Sequence, residues 1–394
     1  MMQNDAPIYL DHNATTPVRA EVVEAVARCQ AEGYANPASQ HQPGQRARRV
    51  LESAREEVAA LLGADPRGSP ADRVVFTSGG TEANNLAVFG FCPPDLEPPG
   101  RLLISSVEHQ SVLEPAEYLL ERGWRVDTLP VDARGVVRHE VLDDPTPKLL
   151  GEGTRLVSVM LANHETGVVQ PLAQLSDCCR AAGVPLHADA VQAVGKMPVD
   201  FRRLGVDAMT VSAHKLGGPA GVGALLLSGR VARQLRPRLF GGRQQYQLRP
   251  GTEAIPLAVG MATALRLWHD EREQLAHRMG QLRARFEAGL RGLWPEVVIH
   301  GESAPRLPGT CNAGFPPLDG QQLLVALYAA GVACSIGSAC SSGAAELSPT
   351  LRAMGLPSEM VRASIRFSLG ATTTEADVDE ALRRIAAALG RMRA

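Results

Sequence analysis

Three lysines stand against 37 arginines in this chain, and arginine carries charge but cannot form an imine, so each lysine is weighed singly. Lys148 and Lys196 lie in a Pro-rich connection and in HADAVQAVGK; Lys215 lies in VSAHKLGGPAG, just after a strand candidate and just before glycines. Lys215 is either a surface lysine or the amine that captures an aldehyde cofactor. Asp189 closes PLHAD, where it is either a turn aspartate or the partner of a protonated pyridine nitrogen, with Gln192 in reach of a phenolic oxygen. FTSGGTEANN (76–85) reads as strand, small-residue turn and helix start. Its backbone N–H groups and the Ser78 and Thr81 hydroxyls suit a phosphate, although it is neither GxGxxG nor a Walker loop. His109, in SSVEHQSV, is either structural or a ring that stacks on a flat ligand and moves protons. Arg366 breaks the apolar run SIRFSL, as a carboxylate clamp or as a partnered interface residue. Cys340 lies in CSIGSACSSGAAELS, whose small residues without a period predict a mobile loop carrying an accessible thiol. Each signal alone is modest. Together they form the set that pyridoxal 5'-phosphate needs and few other cofactors share.

Elements at defined places must position these groups. Strand candidates are RVVFT (73–77), RLLIS (101–105), RLVSVML (155–161), PLHAD (185–189), DAMTVS (207–212) and GALLLS (223–228), separated by helical stretches. That alternation predicts βαβ crossovers and a mostly parallel sheet, with ligands beyond the carboxyl ends of its strands. Thr16-Pro17 reads as a helix start ahead of Val18, Val22, Ala25 and Val26, and a second helix runs from about 43 to 62, stopping at Gly63. A long helix from Leu257 to Leu293 leads into mixed elements, with SIRFSL (364–369) and a closing helix from about Thr374. The expected organisation is a large domain over 16–256 and a smaller α+β domain made of 1–15 and 257–394. PPDLEPPG (93–100) and DDPTPK (143–148) read as surface connections.

A length of 394 residues is enough for two cores, and a formal net charge of −2 carries no nucleic-acid or membrane-surface footprint. The start has neither a basic region nor an apolar one, so no signal peptide is expected, and no apolar run nears the ~20 residues that span a bilayer. The expected location is the cytoplasm. Seven cysteines without a CxxC pair argue against a disulfide framework or a structural zinc.

The motifs resemble the cysteine desulfurases of the class V aminotransferase group, on fold type I of the pyridoxal-phosphate enzymes. The resemblance runs nearly end to end: YLDHNATTP, NPAS, FTSGGTEANN, EHQSV, HADAVQAVGK, SAHKLGGP, the GT of RPGT, GSACSSG and SIRFSLG. GSAC in its long small-residue loop is similar to group I of that family. The resemblance implies a large domain with a mostly parallel seven-stranded sheet flanked by helices, and a homodimer. It makes Lys215 the cofactor-bearing lysine, His109 the stacking ring, Asp189 the partner of the pyridine nitrogen and Gln192 that of the phenolic oxygen. Gly80, Thr81, Ser212 and His214 would hold the phosphate, and Thr252 would reach the phosphate bound in the partner subunit. Arg366 and Asn13 would bind L-cysteine, and Cys340 would take its sulfur, leaving L-alanine. The sulfur would pass to an acceptor protein, an iron–sulfur scaffold or a sulfur carrier. One departure is clear: the family has a second asparagine where this chain has His164, in Asn163-His164-Glu165. An imidazole still donates one hydrogen bond there, so activity is expected to survive with an altered substrate preference or pH dependence.

Rival readings are a selenocysteine lyase, epimerase or β-lyase on the same fold, from which Cys340 in its loop is the distinguishing feature. A catalytically silent scaffold in a sulfur-transfer complex is another, opposed by the intact Lys215, Asp189 and Cys340. A metallohydrolase built on His187, Asp189 and His214 is a further one, and it leaves Lys215 and the glycine turn without a use.

Overall fold

The computed structural model describes residues 6–138, 150–151, 153–336 and 347–393. Its strands in chain order are β1 (Ile8–Tyr9), β2 (Arg73–Thr77), β3 (Arg101–Ser105), β4 (Arg125–Leu129), β5 (Thr154–Ser158), β6 (Leu186–Asp189), β7 (Ala208–Ser212), β8 (Gly223–Leu227), β9 (Val298–Ile299), β10 (Thr310–Gly314), β11 (Val332–Ala333) and β12 (Ser364–Ser368). Seven of them form one sheet in the order β2-β8-β7-β6-β5-β3-β4. Pairings from β4 to β7 are parallel, and β8 runs antiparallel to both β7 and β2. Every residue of β3, β7 and β8 is buried, as expected of strands covered by helices on both faces.

The six strands read from the sequence are all present. The seventh, β4, escaped that reading because its sequence, RVDTL, is half polar. As an edge strand it has only β3 beside it, and its Asp127 takes Arg101 at 2.6 Å and Arg125 at 2.8 Å. Charge on an exposed edge discourages pairing with another chain. β5 is formally shorter than expected, yet Val159 and Leu161 go on donating to His187 and Asp189, so the backbone stays beside β6 up to the site.

The helix Gln42–Leu61 buries Ala47, Leu51, Ala54 and Val58 along one face, and its first turn is capped by His41 Nδ1, which accepts from Gly44 N at 3.2 Å. The first helix begins at Ala20, later than Thr16-Pro17 suggested. Thr16 N donates to His214 O and Arg19 N to Gly217 O, so this stretch is drawn out alongside the loop that carries Lys215.

The 39-residue helix Ile255–Leu293, roughly 58 Å long at 1.5 Å per residue, bridges two apolar clusters. Ile255, Ala258, Met261 and Leu265 pack with the helices Ala20–Ala31 and Gln42–Leu61 and the large sheet. Leu282, Phe286 and Leu290 pack with Ile365 and Phe367 of β12, Cys311 of β10 and the helix Glu375–Arg393. β10 lies between β12 and β9 in a small antiparallel sheet. The N-terminal segment pairs first with β11 and then, at Asp11, with Ser368 at the end of β12. That path delivers Asn13 and Ala14 to the carboxyl edge of the large sheet. Among the described residues no helix is long and apolar enough to cross a membrane.

Candidate active site

Parallel strands must all end on one edge, and here β2, β3, β5, β6 and β7 bring Thr77–Thr81, Ser105–His109, Ser158–His164, Asp189–Gln192 and Ser212–Lys215 together. They enclose a cavity of about 270 Å³, lined among others by Gly80, Thr81, His109, His164, Asp189, Gln192, Ser212, His214 and Lys215. Nine of the sequence-predicted residues therefore meet in one place. A side chain at Gly80 would bring a Cβ within 2.8 Å of Val191 Cγ2, so the turn can lie this close to the strand ends only as glycine. It opens the 12-residue helix Gly80–Phe91, whose N-terminal N–H groups face anionic ligands favourably.

Lys215 ends a single 3₁₀ turn after β7, and its Nζ donates to Asn13 O at 2.6 Å and Ala14 O at 2.7 Å. Asp189 is buried; its Oδ1 accepts from Val191 N at 2.9 Å and its Oδ2 from Asn84 Nδ2 at 2.7 Å. Asn84 also donates to Ser111 Oγ at 2.8 Å, and Ser111 meets His109 Nδ1 through its hydroxyl at 2.8 Å and its N–H at 3.1 Å. His109 Nδ1 thus caps the helix Gln110–Leu120, which leaves Nε2 as the nitrogen not committed to the cap. Asn84 and Ser111 were not singled out in the sequence, although Asn84 lies inside the glycine-turn motif; only the fold shows that they link Asp189 to His109.

His164 stands edge-on to His109, with ring centroids 5.3 Å apart and planes at 80°. Burial pushes its pKa well below the ordinary imidazole range, and His109, Arg366 and Lys215 push the same way. His214 is brought down to about 4 by burial, then by Lys215 and Lys196. Both rings are therefore neutral near pH 7, each with one N–H to donate. Among the described residues the buried atoms Ser212 Oγ, His164 Nδ1 and Asn84 Oδ1 have no partner. Unpartnered polar atoms around a cavity that also holds an amine, a carboxylate and a helix N-terminus fit a phosphorylated, heteroaromatic aldehyde.

Arg366, Asn13 and Thr252 do not line this cavity. Arg366, buried in β12, donates to His164 O at 3.1 Å and Asp11 Oδ1 at 2.8 Å, while its Nε has no partner among the described residues. Asn13 is buried beside it, with Nδ2 on Thr310 Oγ1 and His164 O. Thr252 is exposed, two residues after Pro250, and its neighbour Arg249 pairs with Glu82 at 2.8 Å in the first turn of the glycine-turn helix. Cys340 lies outside the described residues. His187, offered above as a metal ligand, uses both ring nitrogens inside the sheet, on Ser158 Oγ at 2.8 Å and Thr210 Oγ1 at 3.0 Å. Among the described residues no group of three or more His, Cys, Asp or Glu side chains is placed to hold a metal.

Glu108, next to His109, is buried among apolar neighbours, and its Oε1 accepts from Ser105 Oγ and from Met160 N at 2.7 Å. Burial raises its pKa from 4.5 to about 8, offset in part by these hydrogen bonds and reinforced by Asp189. The folded state therefore holds a proton here that the unfolded chain has released. Stability from this group is present in full below pH 4.5 and is lost as pH rises towards 8. Glu108→Gln, which keeps the shape and cannot ionise, is expected to flatten that slope. Thermal midpoints of the two proteins at pH 5 and pH 8.5 test this: the variant gains relative to the wild type at the higher pH. Equal differences at both would refute a protonated Glu108.

A family model described as aminotransferase class-V matches residues 8–381. The chain is 42% identical over 390 residues to an IscS-like cysteine desulfurase of Mycobacterium tuberculosis, covering 98% of this chain and 97% of that one. It is 38% identical to the cysteine desulfurase IscS of Proteus mirabilis, over 98% and 94% of the two chains. Among solved structures, a NifS-like protein superposes with a TM-score of 0.87 at 34% identity, over 98% of this chain and all of the other.

Proposed function

The chain belongs to the class-V aminotransferase family, and on that premise we propose that it is a pyridoxal-phosphate-dependent cysteine desulfurase that converts L-cysteine to L-alanine and keeps the sulfur as a persulfide on Cys340. The observation that carries this reading is the convergence of the Lys215 amine, the Asp189 carboxylate and the glycine-turn helix N-terminus on one cavity.

The roles follow from the surroundings of each residue. When bound, pyridoxal phosphate supplies an electron sink for the substrate's α-carbon. Gly80 N–H, Thr81, Ser212 and His214 would hold its phosphate; Ser212 Oγ is buried with no partner among the described residues, and His214 is a neutral donor. Asp189, kept as an acceptor by Val191 N–H and Asn84, would take the ring nitrogen, and Gln192 would meet the phenolic oxygen. His109 would stack on the ring, and His164 would donate one N–H in place of the family's asparagine. Lys215 moves the proton at the α-carbon, with the carbonyls of Asn13 and Ala14 as the perch that holds its amine within reach. Arg366 and Asn13 take the substrate carboxylate, with Arg366 Nε as the donor still without a partner among the described residues. The Cys340 thiolate attacks the substrate sulfur. The S–S bond forms as the C–S bond breaks, and the carbon takes a proton to become the alanine methyl group.

The protein acts as a homodimer, with Thr252 serving the phosphate held in the partner subunit. It works in the cytoplasm, where an accessible nucleophilic thiol stays reduced. It hands sulfur to an acceptor protein, an iron–sulfur scaffold or a sulfur carrier. The test is alanine release from L-cysteine by purified, cofactor-loaded protein, with selenocysteine run in parallel. Alanine from cysteine at many turnovers per subunit is expected; turnover confined to selenocysteine would replace the reading with a selenocysteine lyase.

A further inference from the structure

Lys196 is one of only three lysines, and it is buried outside the lining of the cavity. Its Nζ donates to Asn13 Oδ1 and Gln192 Oε1, each at 2.6 Å. Burying an amine this way is unfavourable, and Lys215 and Arg366 nearby make it more so, with Asp11 acting in the opposite direction. A methionine would fill the same space without that cost, so the N–H bonds of Lys196 are what the site uses.

We propose that Lys196 is a positioning residue that fixes the polarity of the Gln192 and Asn13 side-chain amides, so that Gln192 turns an N–H towards the cavity and its ligand. The two ends of an amide are nearly the same size, and hydrogen-bonding neighbours decide which way it points. Lys196 has at least two N–H bonds to give, as ammonium or as amine, and both go to amide oxygens. With Oε1 anchored, Gln192 Nε2 gives one N–H to Asn13 O at 3.0 Å. Its second N–H is left for the cavity, which Gln192 lines. Anchoring Asn13 Oδ1 likewise turns Nδ2 to Thr310 Oγ1 and His164 O, and holds in place the residue whose carbonyl receives Lys215 Nζ at 2.6 Å. The backbone keeps Lys196 in register. Gly195 has φ +87°, and a Cβ there would come within 2.3 Å of Leu216 Cβ, so this turn packs directly on the residue after Lys215.

The inference rests on the reading that Gln192 meets the phenolic oxygen of pyridoxal phosphate, and the experiment separates the two. Wild-type and Lys196→Met apoproteins are titrated with pyridoxal 5'-phosphate and with its 3-deoxy analogue, which lacks that oxygen, and binding is followed by tryptophan fluorescence. The wild type is expected to prefer the natural cofactor by about tenfold, the size of one hydrogen bond. Lys196→Met is expected to erase the preference by weakening the natural cofactor about tenfold and leaving the analogue unchanged. A variant that keeps the preference, or weakens both ligands equally, overturns the proposal and leaves the role of Gln192 standing. A wild type without preference removes Gln192 from the phenolic oxygen, and the proposal with it. Lys196→Gln, a shorter side chain that still carries a donor nitrogen, provides the same reading if the methionine variant does not fold: a partial loss of preference supports the proposal, and an undiminished one overturns it.

Discussion

Lys215→Ala is expected to reduce alanine formation by about 10³-fold or more, the range for removing a positioned acid–base group, and to abolish covalent retention of the cofactor. The fold should survive. Asn13 O, one of the two carbonyls that receive the Lys215 amine, keeps its bond from Gln192 Nε2. Truncation at Lys215 therefore leaves that acceptor satisfied, and the part-exposed position creates no sealed void. Borohydride reduction followed by peptide mapping checks the assignment directly. Wild-type protein should carry the cofactor on the peptide containing Lys215, and the variant should carry none. Lys196 is not a ready substitute, being committed to Asn13 and Gln192. A variant that still fixes the cofactor covalently would overturn the assignment of Lys215 and with it the mechanism above.

Cys340→Ala is expected to leave cofactor loading and L-cysteine binding within about twofold of the wild type while catalytic alanine release falls by at least ~10²-fold, because a nucleophile acts only in the reacting state. Five of the six other cysteines make poor replacements. Burial pushes the thiols of Cys29, Cys92, Cys179, Cys311 and Cys334 upwards, to about 12 for Cys179 and Cys334. A thiol pushed that high carries almost no thiolate near pH 7, and the thiolate is the attacking species. Cys334 is the telling case, since Arg366 and Asp11 both act on it, yet it packs against the core behind β12. Mass spectrometry after a single addition of cysteine should find 32 Da of sulfur (approximately one atom) on the peptide carrying Cys340 in the wild type and on no peptide of the variant. Sustained turnover without Cys340 would remove the persulfide step and leave a lyase on the same cavity.

Much of this was legible in one dimension because the chemistry is local. The glycine turn of 76–85, Asp189 at the end of its strand and Lys215 just after another are each announced by a few adjacent residues, and a parallel sheet obliges its strand ends to share an edge. Buried apolar runs likewise marked β3, β7 and β8. β4 was missed for the converse reason: an edge strand is half solvated, so its sequence looks like a connection. The linkage of Asn84 and Ser111, 27 residues apart, to Asp189 and His109 has no sequence signature, because hydrogen bonding between separate strand ends depends only on where the sheet order puts them.

The sequence by itself determined the family, and it marked the amine, the carboxylate and the glycine turn that meet in one cavity. Residue types set what bonds can form, and these motifs are short enough to be read directly. Tertiary structure decided how the groups are held. Asn13 reaches the Lys215 amine only because the N-terminal segment crosses β11 and β12. Glu108 is driven up to about 8 only because the sheet buries it. Lys196 acts on two amides only because Gly195 lets its turn lie against Leu216. Polarity, protonation and reach depend on neighbours distant in the chain, and close packing of the fold is what makes them neighbours.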